Sequence, residues 1–178
     1  MDFVINTERL HLRPFETSDA PALHGMANQP HILKWMPDWK STLEDTESLI
    51  QYFASQHPLA CATMARVMFA VTLQDCVMGM VGIGNKKELD NEIEMAYFIS
   101  EAYAGNGYIT EAAQAVSRWA LQNLQMDYLI AIVEPDNIPS QRVVEKCGFQ
   151  RMGKRMVLNA GDSVAKPFCY YRLYRVQA

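Results

Sequence analysis

The chain has 178 residues, of which 49% are hydrophobic, and its 16 basic and 20 acidic residues give a net charge of −4. This length favours one domain with a genuine core, and the weakly acidic balance argues against nonspecific nucleic-acid binding. No apolar run reaches the roughly 20 residues that span a bilayer, and the first six residues lack the features of a signal peptide. We therefore expect a single cytoplasmic domain over residues 1–178, with no direct contact to membranes or nucleic acid.

Hydrophobic periodicity and turn residues predict a mixed order of strands and helices. In chain order these are a strand at 8–15, helices at about 20–28 and 43–57, strands at 66–73, 77–84 and 92–100, a helix at about 108–124, a strand at 128–133, a helix at about 139–147, and a closing hairpin of strands at 151–158 and 168–176. This order predicts one α/β sheet, antiparallel early in the chain and parallel where helix 108–124 crosses over. The polar turn at Lys86-Lys87 is expected to be solvated.

The segment Ala104-Gly105-Asn106-Gly107-Tyr108 lies between the strand 92–100 and the helix 108–124. The first N–H groups of a helix have no intrahelical partner and carry partial positive charge. Glycines allow a tight turn and let a ligand approach the backbone closely. The pattern therefore predicts a site for a diphosphate-carrying cofactor at this helix end.

The four cysteines form no CxxC pair, and the four histidines show no metal-ligand spacing. Scattered cysteines are typical of a reducing compartment rather than of a disulfide framework. We expect no metal site.

Glu92 and Glu94 are two residues apart in a predicted strand, so their side chains share one face of the sheet. Two carboxylates near a cofactor turn are candidate bases, and mutual repulsion would raise the pKa of one of them. The alternative is that both are simply solvated at the edge of the sheet.

Three ordered blocks resemble the GNAT acetyltransferase superfamily. They are Glu94-Met95-Ala96-Tyr97 with the glycine turn and Ile109-Thr110-Glu111-Ala112, then Asn137-Ile138-Pro139-Ser140, and finally Glu145-Lys146-Cys147-Gly148-Phe149. The opening segment from Thr7 to Pro14 is similar to the RimJ/RimL-type branch, whose members acetylate ribosomal proteins. The resemblance implies a GNAT-type mixed, mostly antiparallel sheet of six to seven strands flanked by about four helices.

The resemblance also implies direct transfer of acetyl from acetyl-CoA to a primary amine. Glu94 matches the family's glutamate and becomes the expected base, with Glu92 behind it. The tyrosine that many members use as general acid falls at Val144 here, and in the RimJ/RimL-like branch a serine takes that role, which would be Ser140. Asn137 is either a cofactor contact, a helix cap or both.

The cofactor contacts are expected at a strand end, at the glycine turn and in the late helix. They are Phe98, Ile99, Ser100, Ala104, Gly105, Asn106, Gly107, Tyr108, Ile109, Thr110, Asn137 and Ser140. The chain departs from the family at Ala104, where Arg or Gln is common, and at Ile109, where Gly or Ala is common.

The acceptor amine is left open between a protein N-terminal α-amino group and a small molecule such as a polyamine or amino-sugar. A non-catalytic CoA-binding module is a further alternative. Trp35, Trp39 and Tyr52 fall in the segment that lines the acceptor site in this superfamily, although aromatic residues at such spacing are commonly core. The assembly is expected to be a monomer or a homodimer.

Overall fold

A computed structural model describes residues 3–56, 66–159 and 161–175 of the chain. The strands are β1 (Ile5–Asn6), β2 (His11–Pro14), β3 (Val67–Leu73), β4 (Cys76–Lys86), β5 (Glu92–Ile99), β6 (Tyr128–Val133), β7 (Gln150–Val157) and β8 (Lys166–Tyr174). The helices in these ranges are α1 (Ala20–Ala27), α2 (Pro30–Leu33), α3 (Leu43–Gln56), α4 (Tyr108–Asn123) and α5 (Ile138–Lys146). The predicted ends of helix 43–57 and strand 168–176 lie outside the described residues.

The strands form one sheet in the order β1-β2-β3-β4-β5-β6-β8-β7. Every neighbouring pair is antiparallel except β5 and β6, which are parallel and joined through α4. The predicted mixed, mostly antiparallel sheet with one crossover is therefore confirmed. The sheet has eight strands rather than six to seven because β1 is a two-residue strand, too short to show a periodicity. The four-residue α2 was missed for the same reason.

The two faces of the sheet are covered by different helices. On one face α4 and α5 pack against the sheet, with Val116, Trp119 and Val144 contributing to a core shared with Leu129 and Tyr171. On the other face the early helices pack over β3, β4 and β5, as shown by the cluster of Leu23, Ile50 and Phe53 with Met68, Met80 and Phe98. Among the described residues, β6 and β8 contribute nothing to this second cluster. This part of the second face is therefore not covered by the early helices.

Strands β5 and β6 separate soon after they meet. Within the described ranges their ladder has one registered pair, Glu94 with Ile130, although β5 continues to Ile99 and β6 to Val133. Backbone groups beyond that pair need other partners, because buried N–H and C=O groups are almost always hydrogen-bonded. The divergence places a wedge-shaped opening in the middle of the sheet, directly beside Glu94.

Candidate active site

In the glycine turn between β5 and α4, two glycines adopt backbone conformations that other residues rarely adopt. Gly105 and Gly107 have φ values of 80° and 78°, in the left-handed region that favours glycine. Gly107 is the N-cap residue of α4 and makes no side-chain capping hydrogen bond. The amide of Asn106 donates to the carbonyls of Tyr103 and Ala104 at 3.2 and 3.1 Å, which fixes the shape of the turn. The first N–H groups of α4 are thus available to an anion.

Arg9 and Glu111 hold this turn against the N-terminal strands. The Glu111 carboxylate accepts hydrogen bonds from the Thr7 hydroxyl at 2.6 Å and from the backbone N–H of Arg9 at 3.0 Å, and it pairs with the Arg9 guanidinium at 2.7 Å. Burial acts to raise the pKa of Glu111, but these hydrogen bonds outweigh it and lower that pKa. Arg9 also donates to the carbonyl of Asn106 at 3.1 Å and lies over the ring of Tyr108 at 4.5 Å. Sequence reasoning used Arg9 only as part of a family signature, and its 102-residue separation from Glu111 hid the contact.

A broad cavity of about 870 Å³ adjoins the turn. It runs over the exposed stripe of α4, between the N-terminal strands and the end of α5. Its lining includes Gly107 and Thr110 from the turn and the cations Arg9, Arg118 and Lys146. A groove with this charge next to a helix N-terminus fits the nucleotide end of a diphosphate cofactor.

The expected contacts at the start of α4 differ in exposure. Ala104 is exposed, whereas Tyr108, Ile109 and Thr110 are partly buried. The carbonyl of Thr110 lies 3.6 Å from Sγ of Cys147. Burial raises the pKa of the Cys147 thiol to about 12, so this cysteine is protonated and unreactive at neutral pH.

At the end of β5, part of the backbone predicted to meet the cofactor already has partners. The N–H of Ser100 donates to the carbonyl of Met78 at 2.9 Å. The carbonyl of Ile99 lies 3.1 Å from Nε2 of His31. Phe98 is buried and packs edge-on against Trp39, with ring centroids 5.0 Å apart. Trp39 is thus core-like, whereas Tyr52 is exposed and Trp35 stacks with Lys34.

Ser140 of α5 and Tyr97 of β5 are in contact. The hydroxyl of Tyr97 lies 2.8 Å from Oγ of Ser140 and donates to the Ser140 carbonyl at 3.1 Å. The side chain of Asn137 accepts from the N–H of Ser140 at 3.3 Å, so Asn137 caps α5. The sequence reading placed Tyr97 in the core; its ring does pack there, but its hydroxyl reaches the candidate general acid. Alternation along β5 predicted the buried ring and could not reveal a partner 43 residues away.

Glu94 projects from the opposite face of β5, at the start of the opening. It is paired with Gly84 of β4 and is partly buried. Burial raises the pKa of its carboxyl to about 7, with Lys86 and Arg66 acting to lower it and Glu88 and Glu134 acting to raise it. A carboxyl with this pKa is suited to general base catalysis near neutral pH. No hydrogen bond among the described residues joins Glu94 to Ser140, because they lie on different sides of the strand.

Glu92 has a different environment. Its Oε1 accepts hydrogen bonds from Tyr128 at 2.8 Å, Tyr170 at 2.7 Å and Arg172 at 3.1 Å. Two tyrosines and an arginine therefore occupy this oxygen of Glu92, an arrangement that favours a structural role over that of a base. The sequence had suggested that repulsion from Glu92 would raise the pKa of Glu94. The cause is instead burial of the Glu94 carboxyl.

Two other side chains act on Glu94 and are themselves shielded from solvent. Lys86 was expected to be solvated, but its side chain is largely buried and its ammonium group donates to Asn159 at 2.6 Å. This contact spans 73 residues and leaves no local signal in the sequence. Glu134, just after β6, is partly buried, and burial raises the pKa of its carboxyl.

Across the described ranges, no group of three or more His, Cys, Asp and Glu side chains is arranged to hold a metal ion. In the same ranges, no helix combines the length and apolar character needed to cross a membrane.

Comparison with known proteins agrees with this geometry. The acetyltransferase (GNAT) domain family matches residues 9–150. The uncharacterized N-acetyltransferase YnaD of Bacillus subtilis (strain 168) is 28% identical over 149 residues, which are 84% of each chain. The ribosomal-protein-serine acetyltransferase of Escherichia coli (strain K12) is 26% identical over 117 residues, covering 66% of this chain and 63% of that one.

Among solved structures, RimL, the ribosomal L7/L12 alpha-N-protein acetyltransferase in complex with coenzyme A, aligns over 96% of this chain and 97% of its own. The TM-score is 0.79 at 17% identity, a likeness of fold. The family match covers most of the chain, and the glycine turn has the conformation that the cosubstrate requires. The chain belongs to the GNAT acetyltransferase family and is an acetyl-CoA-dependent N-acetyltransferase.

Proposed function

We propose that this enzyme acetylates the N-terminal α-amino group of a protein or peptide, with Glu94 as the general base. The observation that carries the proposal is the position of the Glu94 carboxyl. It is partly buried on the sheet face that the early helices cover in part, beside the opening between β5 and β6, and its pKa is about 7.

The pKa of the base fits an α-amine better than a side-chain amine. An α-ammonium group has a pKa of about 7.7–8.0, whereas a lysine-like ammonium has one of about 10.4. Proton transfer to Glu94 from the first is nearly balanced in free energy. Proton transfer to Glu94 from a lysine-like ammonium is unfavourable, because the two pKa values differ by about three, which is roughly 4 kcal/mol. A polyamine is therefore a poor match for this base.

Charges of both signs surround Glu94. Lys86 and Arg66 are the basic groups whose fields act on its carboxyl, and Glu88 and Glu134 are the acidic ones. A Cβ built on Gly84, the strand partner of Glu94, would lie 3.0 Å from Nε of Arg66, so the arginine packs over that position. These charges are balanced in number, so the proposed acceptor rests on the pKa of Glu94 and not on repulsion of a polycation.

Acetyl-CoA supplies the acetyl group as a thioester. The N–H groups at the start of α4 hold its diphosphate, with Arg9 beside them. Glu94 takes the proton from the acceptor ammonium, and the amine nitrogen then forms a bond to the acetyl carbon. The carbon–sulfur bond breaks, and the Ser140 hydroxyl, hydrogen-bonded to Tyr97, donates a proton to the departing sulfur. The amine nitrogen loses its second proton as the amide forms, and that proton restores the Ser140 hydroxyl through solvent.

The relatives support an acceptor of this class. One is named as a ribosomal-protein-serine acetyltransferase, and RimL, which shares the fold, as an alpha-N-protein acetyltransferase. We extend this to the present chain as a proposal for the class of acceptor.

An acceptor panel tests the proposal. Short peptides with unblocked N-termini, the same peptides with blocked N-termini and one lysine, a polyamine and an amino-sugar are compared for kcat/KM at pH 7.5. The expected result is acetylation of the unblocked peptides only, and at least a hundredfold loss in Glu94→Gln. Preferential acetylation of the polyamine or the amino-sugar would overturn the proposed acceptor, and a fully active Glu94→Gln enzyme would overturn the proposed base.

A further inference from the structure

The hairpin connection between β7 and β8 reaches across the sheet to the strand beside Glu94. Asn159 of this connection accepts a hydrogen bond from Lys86 at 2.6 Å, although Lys86 belongs to β4. In the sheet order, β5 and β6 lie between β4 and β8. The connection therefore spans about 14 Å of sheet, since adjacent strands are about 4.8 Å apart.

The connection crosses the same face from which Glu94 projects. Lys86 is paired with Glu92, and Gly84 with Glu94, so Lys86 and Glu94 are diagonal neighbours on one face of β4 and β5. The far side of the connection also has a contact: a Cβ on Gly161 would lie 3.8 Å from Oδ1 of Asp38, in the turn before α3. Asn159 thus reaches Lys86, and Gly161 lies against the Asp38 turn.

Lys86 contacts two polar side chains and lies close to a third. Its ammonium group donates to Asn159, pairs with Glu88 at 3.4 Å and lies diagonally opposite Glu94. Its side chain is only 17% exposed, which limits solvent screening of the charge. The next residue, Lys87, is exposed and lies in the turn after β4.

We propose that Lys86 is a positioning residue that ties Asn159 of the β7–β8 connection to the sheet face of Glu94, so that one ammonium group both anchors this connection beside the acceptor site and places a positive charge next to the base. This inference rests on the proposed role of Glu94. The groups that face Glu94 are Lys86 and Arg66, which favour its ionised form, and Glu88 and Glu134, which oppose it. Glu92, on the same face, is neutralised by Arg172.

Two variants distinguish the effect of the Lys86 charge on Glu94 from the effect of its hydrogen bond to Asn159. Lys86→Met removes the charge and the hydrogen bond, and it also leaves Glu88 without this partner. Both changes disfavour ionised Glu94, so the acidic limb of the kcat/KM profile should move to higher pH by about 0.5 to 1. Asn159→Ala keeps the charge of Lys86 but removes its hydrogen bond to Asn159, together with the side-chain hydrogen bond between Asn159 and Asp162. It should raise the KM of the peptide acceptor by about threefold to tenfold, leaving the pH profile and the KM of acetyl-CoA unchanged.

Matched controls are available next to each position. Lys87→Met makes the same charge change one residue away. It should leave the pH profile of kcat/KM and the KM of the peptide acceptor at wild-type values. Lys86→Arg keeps the charge and should keep the wild-type pH profile. Titration of the Glu94 carboxyl by carbon-13 NMR gives a readout that does not need activity, and it should follow the kinetic shift in Lys86→Met.

The outcomes distinguish the two proposals. A Glu94→Gln enzyme with wild-type activity overturns the base and not the Lys86 contact. The Lys86 inference is overturned if Glu94 titrates identically in Lys86→Met and Lys87→Met. It is also overturned if Asn159→Ala leaves the acceptor KM unchanged.

Discussion

The hydroxyl of Tyr97 lies 2.8 Å from Oγ of Ser140, and this contact joins the central strand β5 to the first turn of α5. Burial raises the pKa of Tyr97, so its hydroxyl stays protonated across the neutral range. The Tyr97 hydroxyl, which donates to the Ser140 carbonyl, can accept a hydrogen bond from the Ser140 hydroxyl and so hold the serine in place. Val144, at the position where the family resemblance puts the tyrosine general acid, is buried.

Removing either hydroxyl should therefore slow the transfer without preventing cosubstrate binding. We expect Ser140→Ala to lower kcat by about a hundredfold and Tyr97→Phe by about tenfold, because the serine is the nearer donor. Steady-state kinetics measures both, and calorimetry with acetyl-CoA checks that the affinity is kept. Equal kcat values for wild type and Ser140→Ala would contradict the assignment of the general acid.

The activity should depend on pH through Glu94. The base acts only when ionised, and its pKa is about 7. Below pH 7, kcat/KM should fall by about tenfold for each pH unit. A profile of kcat/KM between pH 5.5 and 9 measures this, and a limb centred near pH 4.5 would mean that Glu94 is not the base.

The same carboxyl should make the fold less stable at high pH. Its pKa is raised from 4.5 in the unfolded chain to about 7 in the folded one, so the folded state binds more protons between these values. The contribution of this group to stability is thus present below pH 4.5 and is lost as the pH rises through 7. Glu94→Gln should raise the free energy of unfolding by about 1–3 kcal/mol at pH 8 and change it little at pH 4.5.

Urea denaturation at the two pH values measures this effect. The matched control is Glu92→Gln, which should lose stability at pH 8, since its carboxylate is stabilised by Tyr128, Tyr170 and Arg172. A loss of stability in Glu94→Gln at pH 8 would show that the wild-type carboxylate is favourably paired in solution.

The fold and the phosphate turn could be predicted from the sequence because their signals are local. The glycines at 105 and 107, the apolar stripe of α4 and the run of β6 each lie within a few residues. The site could be predicted only in part, because Arg9–Glu111 and Tyr97–Ser140 are contacts over 102 and 43 residues. The resemblance ranked Glu94 ahead of Glu92, but the residues alone could not separate them, because Glu92 is bound by side chains of β6 and β8 whereas Lys86 and Arg66 act on Glu94.

The Arg9–Glu111 contact should support cosubstrate binding. Glu111→Gln removes the charge that holds the guanidinium over the turn, so Arg9 is less ordered beside the diphosphate. We expect the dissociation constant of acetyl-CoA to rise by about threefold to tenfold, and stability to fall by about 1 kcal/mol. Isothermal titration calorimetry measures the first quantity. Glu101→Gln, the same change at an exposed position, serves as the control and should bind as the wild type does.

Asn137 should show its two roles in two substitutions. Asn137→Ala removes the cap of α5 and should cost about 1 kcal/mol of stability. Asn137→Asp keeps an oxygen that can accept from Ser140 and should retain most of that stability. If the amide also binds the cosubstrate as a donor, both variants should bind acetyl-CoA more weakly. Wild-type affinity in Asn137→Asp would leave capping as the role of this residue.

The early parting of β5 and β6 has a mechanical consequence. On either side of the Glu94–Ile130 pair, the eight strands amount to two half-sheets, β1 to β5 and β6 to β8, joined there by the crossover helix and that short stretch of ladder. We expect a cosubstrate bound between β5 and β6 to form hydrogen bonds with the facing edges of both strands, as an additional strand would. We expect bound acetyl-CoA to link the two half-sheets. Hydrogen exchange of backbone N–H groups should then slow on the facing edges of both β5 and β6 when it binds.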